Sequence, residues 1–446
     1  MTPNTTREAE AKSITLELLD QIFSTRKPEF IKVRLWDGTV WPLENRSPFT
    51  LILNHPGALR KMLLPGTEVG LAEAYLYNDI DIEGKIEEIF SLADMLTADV
   101  GGLAKKLRLY SRLKQLPEST DRHPLQRGPA HLEGKRHSIQ RDRQAVTYHY
   151  NVSNDFYALF LDPQMVYSCA YFQTADDSLA EAQERKLDYI CRKMRLRTGQ
   201  RILDIGCGWG GLVIWAAQHY GVDATGITLS QPQADYANKR IAELGIGDHC
   251  RVEVIDYRQV PEQPTFDALV SVGMFEHVGE QMLAEYFAKA LRLLKPQGVF
   301  LNHGISSTQE QMRNDKGSFS DAYVFPDGEL VQIHKTIAIA EGAGFETRDV
   351  ESLREHYMLT LQHWVERLEA NHERALQYVD EGTYRVWRLF MSGSIYGFDV
   401  RRQNIYQTLL VKADKEGRSG LPLTRSDWYR REGEPERRSL MDQMMS

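Results

Sequence analysis

The chain has 446 residues, more than one typical domain requires, so two domains with additional segments are expected. Hydrophobic residues make up 42% of the chain, charged residues make up 26%, and the formal net charge is −8. This composition excludes a largely disordered chain, and the acidic balance argues against nucleic acid as a partner. The four cysteines form no C-x-x-C pair, so no metal site of that kind is expected.

The sequence contains no signal for insertion into a membrane. No stretch approaches the ~18 apolar residues that cross a bilayer, and the first residues contain no apolar signal core. So few cysteines in a long chain also fit a reducing compartment. We therefore expect a cytoplasmic protein that meets any membrane peripherally, at its inner surface.

Residues 1–100 are predicted to form a small α+β domain, because helical and alternating apolar patterns are interleaved there. The predicted elements are a helix 14–23, a hairpin 30–43 with its turn at Asp37-Gly38, a strand 49–53, helices 56–63 and 71–77, a strand 79–82 and a helix 86–95. No catalytic group of residues is visible in this region. A lipid-side domain and a structural appendage both remain open.

Residues 101–145 are predicted to form a basic amphipathic helix followed by a linker near 117–129. The segment contains eleven Lys or Arg against four Asp or Glu, a net charge of +7 inside an acidic chain. Apolar residues from Leu103 to Leu116 recur at helical spacing among these cations. Such a helix is typical of contact with an anionic bilayer, although packing against its own protein is the alternative.

Residues 146–414 are predicted to form the catalytic domain, and 415–446 a C-terminal extension. Apolar strands alternate with helices, which predicts an α/β fold with a parallel sheet covered on both faces. The expected strands are 201–204, 223–228, 251–255, 266–272 and 298–303, and the expected helices are 211–220 and 233–244. Ligands of such sheets bind at the carboxyl ends of the strands.

A glycine-rich turn follows the first of these strands, with the sequence LDIGCGWGG over 203–211. Glycines allow the backbone to approach a ligand closely, and the D-x-G-x-G spacing differs from the dinucleotide G-x-G-x-x-G pattern. Asp204, Gly206 and Gly208 are therefore predicted to bind S-adenosylmethionine, with Asp204 receiving the ammonium of the methionine moiety. The alternative is an ordinary tight turn between strand and helix.

Polar residues at the ends of the next strands extend the predicted cofactor site. No acid stands at the end of the second strand, but Thr228 and Gln233 can hydrogen-bond hydroxyl groups. After the third strand, Asp256 can accept from an adenine amine and Tyr257 can flank the ring. Glu276 follows the fourth strand and is expected at the mouth of the pocket.

Several ordered motifs make the chain resemble the cyclopropane-fatty-acyl-phospholipid synthases from about residue 146 to about residue 410. The motifs are YHYNVSNDFY (148–157), YSCAYF (167–172), the glycine turn, GITLS (226–230), SVGMFEH (271–277) and LNHGI (301–305). The resemblance implies a class I S-adenosylmethionine-dependent methyltransferase (Rossmann-like) domain. The N-terminal region resembles the lipid-side domain of long bacterial members.

The resemblance also implies a reaction. A one-carbon unit passes from S-adenosylmethionine to the cis double bond of an unsaturated phospholipid in the membrane. A carbocation forms, and a bound bicarbonate removes the proton whose loss closes the ring. The bicarbonate positions of the family correspond here to Cys169, Glu276, His303, Ile305 by its backbone, and Tyr357. The family's cofactor contacts correspond to Tyr167, Ser168, Gly206, Thr228, Gln233 and Tyr257.

Other readings remain open at this stage. The segment 410–429 resembles the ending of tuberculostearate methyltransferases, which implies a methylene or methyl branch in place of a ring. Glu276 and His303 can also act as a general acid–base pair without bicarbonate. A small-molecule N-methyltransferase and a non-catalytic lipid-binding protein are further alternatives. Aromatic faces stabilise a cation without trapping it, and one or two rings of 148–172 are expected beside it. A homodimer is implied by resemblance alone.

Overall fold

The computed structural model describes residues 3–23, 31–42, 47–97, 103–118, 128–150, 152–308 and 317–429. Its N-terminal elements are α1 (Pro3–Ile22), β1 (Lys32–Arg34), β2 (Val40–Trp41), β3 (Phe49–Leu53), α2 (Ala58–Leu63), α3 (Glu68–Leu76), β4 (Ile80–Gly84), α4 (Ile89–Thr97) and α5 (Leu103–Leu113). The four strands form one sheet in the order β2-β1-β3-β4. The predicted elements of this region are all present; β3 has the predicted bounds, and the others have shifted ends.

Helix α1 is longer than predicted because its apolar face extends back to Ala11. Ala11, Ile14 and Leu18 are all buried, at the spacing of one helical face. Strand β3 alternates as predicted, with Phe49, Leu51 and Leu53 buried. Both elements therefore turn their apolar side chains toward a core between helix and sheet.

The larger part of the chain is built on a seven-stranded sheet in the order β10-β11-β9-β8-β5-β6-β7. Its elements are α6 (Ile139–Tyr150), α7 (Asn154–Ala158), α8 (Leu179–Lys193), β5 (Arg201–Ile205), α9 (Gly211–Tyr220), β6 (Asp223–Thr228), α10 (Gln231–Glu243), β7 (Cys250–Val254), β8 (Phe266–Val272), α11 (Leu283–Leu293), β9 (Leu294–Ser307), α12 (Phe319–Tyr323), α13 (Ile333–Gly342), β10 (Glu346–Ser352), α14 (Arg354–Ala370), α15 (His372–Ala375), α16 (Glu381–Asp399) and β11 (Gln403–Val411). The α/β fold class is confirmed.

The expectation of a wholly parallel sheet is wrong at one edge. Strands β5 to β9 pair in parallel, but β11 pairs antiparallel with β9, and β10 pairs antiparallel with β11. Strand β9 runs to Ser307 because β11 adds hydrogen bonds along its whole outer side, from Gln403 to Val411. Strands β6 and β7 follow on one side of β5, whereas β8 and β9 lie on its other side. Such folds bind ligands at this switch in strand order, between β5 and β8.

Helix α16 fastens the N-terminal region to the larger unit. Arg385 is buried and donates to the carbonyl oxygen of Tyr75 at 2.9 Å and to the carboxylate of Asp81 at 3.0 Å. Arg388 donates to the hydroxyl of Tyr75 at 2.8 Å. These contacts attach α3 and β4 to α16 of the larger unit.

The two predicted flanking segments lie on the surface of these units. In α5, Leu107 and Tyr110 are exposed, whereas Leu113 is buried. The linker prediction falls mainly on 119–127, outside the described residues, as does 430–446 of the C-terminal extension. The described part of that extension packs on α8, with Trp428 buried beside Lys193. Among the described residues, no helix has both the length and the apolar character that a bilayer crossing needs.

Candidate active site

The glycine turn after β5 shapes the floor of a cavity. Gly206 has φ +85°, and a Cβ there would lie 2.6 Å from the Cβ of Met274. Gly208 has φ +54° and no atom within 4 Å of the Cβ position, so open space faces it. Both positions therefore require glycine, the first for close packing and the second for access by a ligand.

Asp204 lies at the end of β5 with its carboxylate inside this cavity. The side chain is buried, and its Oδ1 atom has no hydrogen-bond partner. Burial raises the pKa of Asp204 to about 7, an effect that the nearby Lys186 ammonium partly opposes. A buried carboxylate with a free oxygen is suited to receive a ligand ammonium, which would restore its ionised form.

The end of β6 contributes a hydrogen-bonding pair. The hydroxyl of Thr228 lies 2.9 Å from Oε1 of Gln233, and the Nε2 amide of Gln233 is buried without a partner. This free amide donor faces the same cavity. Together with Asp204, it gives the cavity one anionic acceptor and one neutral donor for a bound ligand.

Asp256 lies in the cavity, but its carboxylate is already paired. Oδ1 accepts from Nε of Arg258 at 2.7 Å, and Oδ2 accepts from Nη2 at 2.6 Å. Oδ1 also accepts from the backbone N–H of Arg258 at 2.9 Å, so only Oδ2 can accept a further bond, and the adenine contact stays a prediction. The ring of Tyr257 lies beside Arg258, 5.3 Å from its guanidinium carbon, and lines the cavity.

All the residues predicted to contact the cofactor line this one cavity, although they come from segments spread over ninety positions of sequence. They are Tyr167, Ser168, Asp204, Gly206, Gly208, Thr228, Gln233, Asp256 and Tyr257. The unpartnered polar atoms and the open space at Gly208 fit an adenosylmethionine molecule.

A second cavity of about 560 Å³ adjoins the first. Its wall is mostly apolar, and the N-terminal region supplies a large share of it through α3, β4 and α4. The residues shared by the two cavities are Tyr150, Tyr167, Ser168, Val272 and Gly273. The volume lies in the usual range for a small-molecule site. A group held in the first cavity therefore faces an apolar chamber.

Glu276 stands in this second cavity and is held by the backbone of β9. Its Oε1 accepts from the N–H of Ile305 at 2.6 Å, while Oε2 is buried without a partner. Burial raises the pKa of Glu276 to about 7, so neutral and ionised forms coexist near neutral pH. The N–H of Ile305 is thus directed at Glu276, and its predicted contact with an anion stays a prediction.

His303 and Tyr357 line the same cavity. Burial and nearby lysines keep the pKa of His303 well below its usual value, so the ring is neutral. Its Nδ1 lies 3.5 Å from the Gln407 amide, and its Nε2 is buried without a partner. Cys169, the remaining predicted bicarbonate contact, lines neither cavity; its thiol donates to the carbonyl oxygen of Ala170.

The aromatic residues of 148–172 divide into core and cavity groups. Phe156, Tyr157 and Phe160 are fully buried and pack on Trp387. Tyr150 and Tyr167 line both cavities. These two rings are the candidates for the expected neighbours of a cation, and that expectation stays a prediction. Asn151, from the same motif, lies outside the described residues.

Sequence reasoning missed several residues of the site. Lys186 lines the first cavity and Trp364 the second, and Gln407 lies against His303. The cavity-lining face of α3 and α4 was also missed. Each of these residues belongs to an ordinary amphipathic pattern, and no local signal distinguishes it from a residue of the core or surface.

Comparisons with known proteins agree with this geometry. The family model described as mycolic acid cyclopropane synthetase matches residues 137–408, and a domain of unknown function matches residues 18–97. A probable fatty acid methyltransferase of Pseudomonas putida is 38% identical over 90% of this chain and 96% of its own. The cyclopropane-fatty-acyl-phospholipid synthase of Escherichia coli is 36% identical over 60% of this chain and 68% of its own.

Solved structures show the same fold. The mycolic acid cyclopropane synthase CmaA1, in complex with SAH and CTAB, is 33% identical, has a TM-score of 0.57 and aligns with 60% of this chain and 97% of its own. The family match spans more than half of the chain and includes every residue that was predicted to bind the cofactor. The chain therefore belongs to the mycolic acid cyclopropane synthetase family of S-adenosylmethionine-dependent methyltransferases.

Proposed function

We propose that this protein transfers a one-carbon unit from S-adenosylmethionine to the cis double bond of an unsaturated phospholipid acyl chain and closes a cyclopropane ring. The main support is that the cofactor cavity shares five wall residues with an apolar cavity of about 560 Å³. An acyl chain is apolar along its length, so this wall is suited to it. The name of the Escherichia coli relative supports the same substrate class.

The junction residues supply what an alkene needs in order to react. An alkene is a weak nucleophile, so alignment with the electrophilic methyl carbon that bound S-adenosylmethionine supplies must provide much of the rate. Tyr150 and Tyr167 present aromatic rings there, which stabilise a carbocation without capturing it. The apolar wall excludes water, which would otherwise trap the cation.

The predicted bicarbonate fits the residues beside the junction. Oε2 of Glu276 and Nε2 of His303 are both buried and unpartnered, and Tyr357 lines the same wall. Because burial raises the pKa of Glu276 to about 7, its carboxyl group can be protonated and donate to an anion. When bound there, bicarbonate would supply the base that removes the proton of the transferred carbon.

A branched product is the second candidate. The probable fatty acid methyltransferase of Pseudomonas putida aligns with 90% of this chain, whereas the cyclopropane synthase of Escherichia coli aligns with 60%. Closure of a ring and formation of a methylene branch share the cation and differ in the proton that leaves. Purified protein, S-adenosylmethionine and a cis-unsaturated phospholipid should give an acyl chain heavier by one CH₂ group. Fragmentation of the product then separates a ring from a branch.

That experiment also tests the class of substrate. A small amine in place of the phospholipid should remain unmethylated, because the wall of the second cavity is mostly apolar. Methylation of the amine without a lipid product would contradict the proposal.

We further propose that α5 brings the enzyme to an anionic bilayer as a peripheral protein. Leu107 is 60% exposed and Tyr110 is 47% exposed, although both are apolar side chains on a helix rich in cations. Exposed apolar residues among Lys and Arg match the interface between head groups and acyl chains. The helix packs on α1 and α2, so it presents this face from a fixed position on the N-terminal region.

A further inference from the structure

A buried lysine in the cofactor cavity has no role in the function derived so far. Lys186, in the middle of α8, is only 1% exposed, and it lines the same cavity as Asp204 and Ser168. Burying an ammonium group costs free energy unless charges or hydrogen bonds compensate. Lys186 therefore needs a reason to be there beyond the packing of a helix.

Its hydrogen-bond partner is the hydroxyl of Ser168. Nζ of Lys186 lies 2.9 Å from Oγ of Ser168. An ammonium has three donors and no acceptor, so the serine oxygen accepts this bond and its own proton must point elsewhere. Among the described residues, the structure gives that proton no acceptor and gives Nζ no second hydrogen bond. The pair thus presents unused donors to the cavity.

Helix α8 holds the pair rigidly. A capping box at Ser178 and Glu181 begins the helix. One turn before Lys186, Gln183 donates to the carbonyl oxygens of Val166 at 3.3 Å and of Ser168 at 2.9 Å. The segment that contains Tyr167 and Ser168 is therefore attached to α8 in two ways. Its backbone carbonyl oxygens accept from a side chain of the helix, and the Ser168 hydroxyl accepts from Lys186. A preorganised donor pair of this kind is suited to bind an anion.

The charges of the cavity are complementary to the ammonium and the carboxylate of an amino acid. Asp204 has a free buried oxygen for an ammonium, and Lys186 has free donors for a carboxylate. The methionyl moiety of S-adenosylmethionine contains both groups on one carbon. Burial lowers the pKa of Lys186 to about 8, and nearby Asp162 and Asp204 keep it from falling further. The ammonium is therefore mostly charged at neutral pH.

We propose that Lys186 and the hydroxyl of Ser168 together bind the carboxylate of the methionyl moiety, opposite the ammonium site at Asp204. This inference rests on the cofactor site assigned above, and it is independent of the lipid product. Lys186 is then a cofactor-binding residue, and α8 couples cofactor occupancy to the segment 166–169 that reaches the substrate cavity.

Binding of two ligands to the purified protein, measured by calorimetry without lipid, tests the proposal. S-adenosylmethionine has both the ammonium and the carboxylate, whereas decarboxylated S-adenosylmethionine retains only the ammonium. Loss of a charge-assisted hydrogen bond typically weakens binding by about 10- to 100-fold. We expect Lys186→Met to weaken S-adenosylmethionine by that factor beyond any loss for the decarboxylated ligand, which should weaken only as far as the pKa of Asp204 rises without the Lys186 ammonium. Asp204→Asn should weaken both ligands.

Lys193→Met is the matched control, because Lys193 is an equally buried lysine of α8 that pairs with Asp349 and Glu351 and lines neither cavity. It should leave both affinities unchanged. Equal weakening of both ligands by Lys186→Met, or no weakening of S-adenosylmethionine, would overturn the proposal. If Lys186→Met does not melt cooperatively, the Ser168→Ala variant replaces it in the test. Ser168→Ala should also weaken S-adenosylmethionine more than the decarboxylated ligand. Failure of the wild type to bind either ligand would instead refute the cofactor site itself.

Discussion

The carboxylate of Glu276 accepts a hydrogen bond from the backbone N–H of Ile305 at 2.6 Å, which ties the segment after β8 to strand β9. One carboxylate oxygen is thereby fixed, and the other faces the apolar cavity without a partner. The orientation of Glu276 is set before any substrate arrives, because a backbone group cannot rotate away. Such preorganisation is what a proton-transfer site requires.

Substitution of Glu276 should therefore affect turnover more than cofactor binding. Glu276→Gln keeps an oxygen that can accept from Ile305, but it removes the group that titrates near neutral pH. We expect the rate of lipid product formation to fall by about 10²–10⁴-fold. The affinity for S-adenosylmethionine should change less than threefold, since Glu276 does not line the cofactor cavity.

The control for this variant is Glu285→Gln, which changes an exposed glutamate of α11 that pairs with Arg292. Its turnover should equal that of the wild type. A Glu276→Gln variant that turns over normally but binds S-adenosylmethionine poorly would show that Glu276 contributes to cofactor binding and not to the reaction.

Cofactor affinity should depend on pH through Asp204. Burial raises the pKa of this carboxyl to about 7, so without ligand the group gains a proton as the pH falls through 7. Only the ionised form attracts the ligand ammonium, so the dissociation constant should rise by up to about tenfold for each pH unit below 7. Calorimetric titrations from pH 8 to pH 5 measure this slope. In Asp204→Asn the affinity should be low and nearly independent of pH over the same range.

A bulky side chain introduced on the N-terminal region should block the apolar cavity. Ala93 of α4 lines the cavity, and Ser91 of the same helix is exposed. Ala93→Trp should reduce lipid turnover at least tenfold by filling space that the acyl chain needs, while Ser91→Trp should not. Cofactor affinity should be unchanged in both. Equal turnover by the two tryptophan variants would show that the acyl chain binds elsewhere.

Binding to vesicles should respond to charge on α5. Lys106 and Arg108 flank the exposed Leu107 on this helix, and Lys105 lies next to them in sequence. Lys106→Glu with Arg108→Glu should weaken binding to vesicles containing anionic lipid, most strongly at low salt, where screening is least. Cosedimentation measures the effect. The comparison is Arg197→Glu with Lys415→Glu, at exposed positions before β5 and after β11. Equal losses in the two pairs would exclude a specific role for α5.

The junction between the N-terminal region and α16 should contribute to stability. Arg385→Met removes a buried guanidinium that bonds to Tyr75, Asp81 and Glu381. We expect the free energy of unfolding to fall by about 2–4 kcal/mol, because the carbonyl oxygen of Tyr75 loses its donor while the two carboxylates are partly rehydrated. Chemical denaturation measures it. Arg401→Met, at an exposed position nearby in sequence, should change the value by less than 0.5 kcal/mol.

Local patterns in the sequence were sufficient for the central elements of the fold. The bounds of β6, β8 and α9 agree with the prediction. The edge of the sheet was not predictable in this way. Strand β11 reverses direction relative to β9, and only pairing between segments a hundred residues apart determines that.

The sequence by itself determined the cofactor turn, since Gly206 and Gly208 need backbone geometry that few other residues adopt, and that requirement is local. Tertiary structure decided the rest of the site. It placed Lys186 beside Ser168 and made the N-terminal region a wall of the apolar cavity. These contacts depend on which faces of distant helices meet. A helical pattern specifies that a face is apolar, but it does not specify what that face will contact.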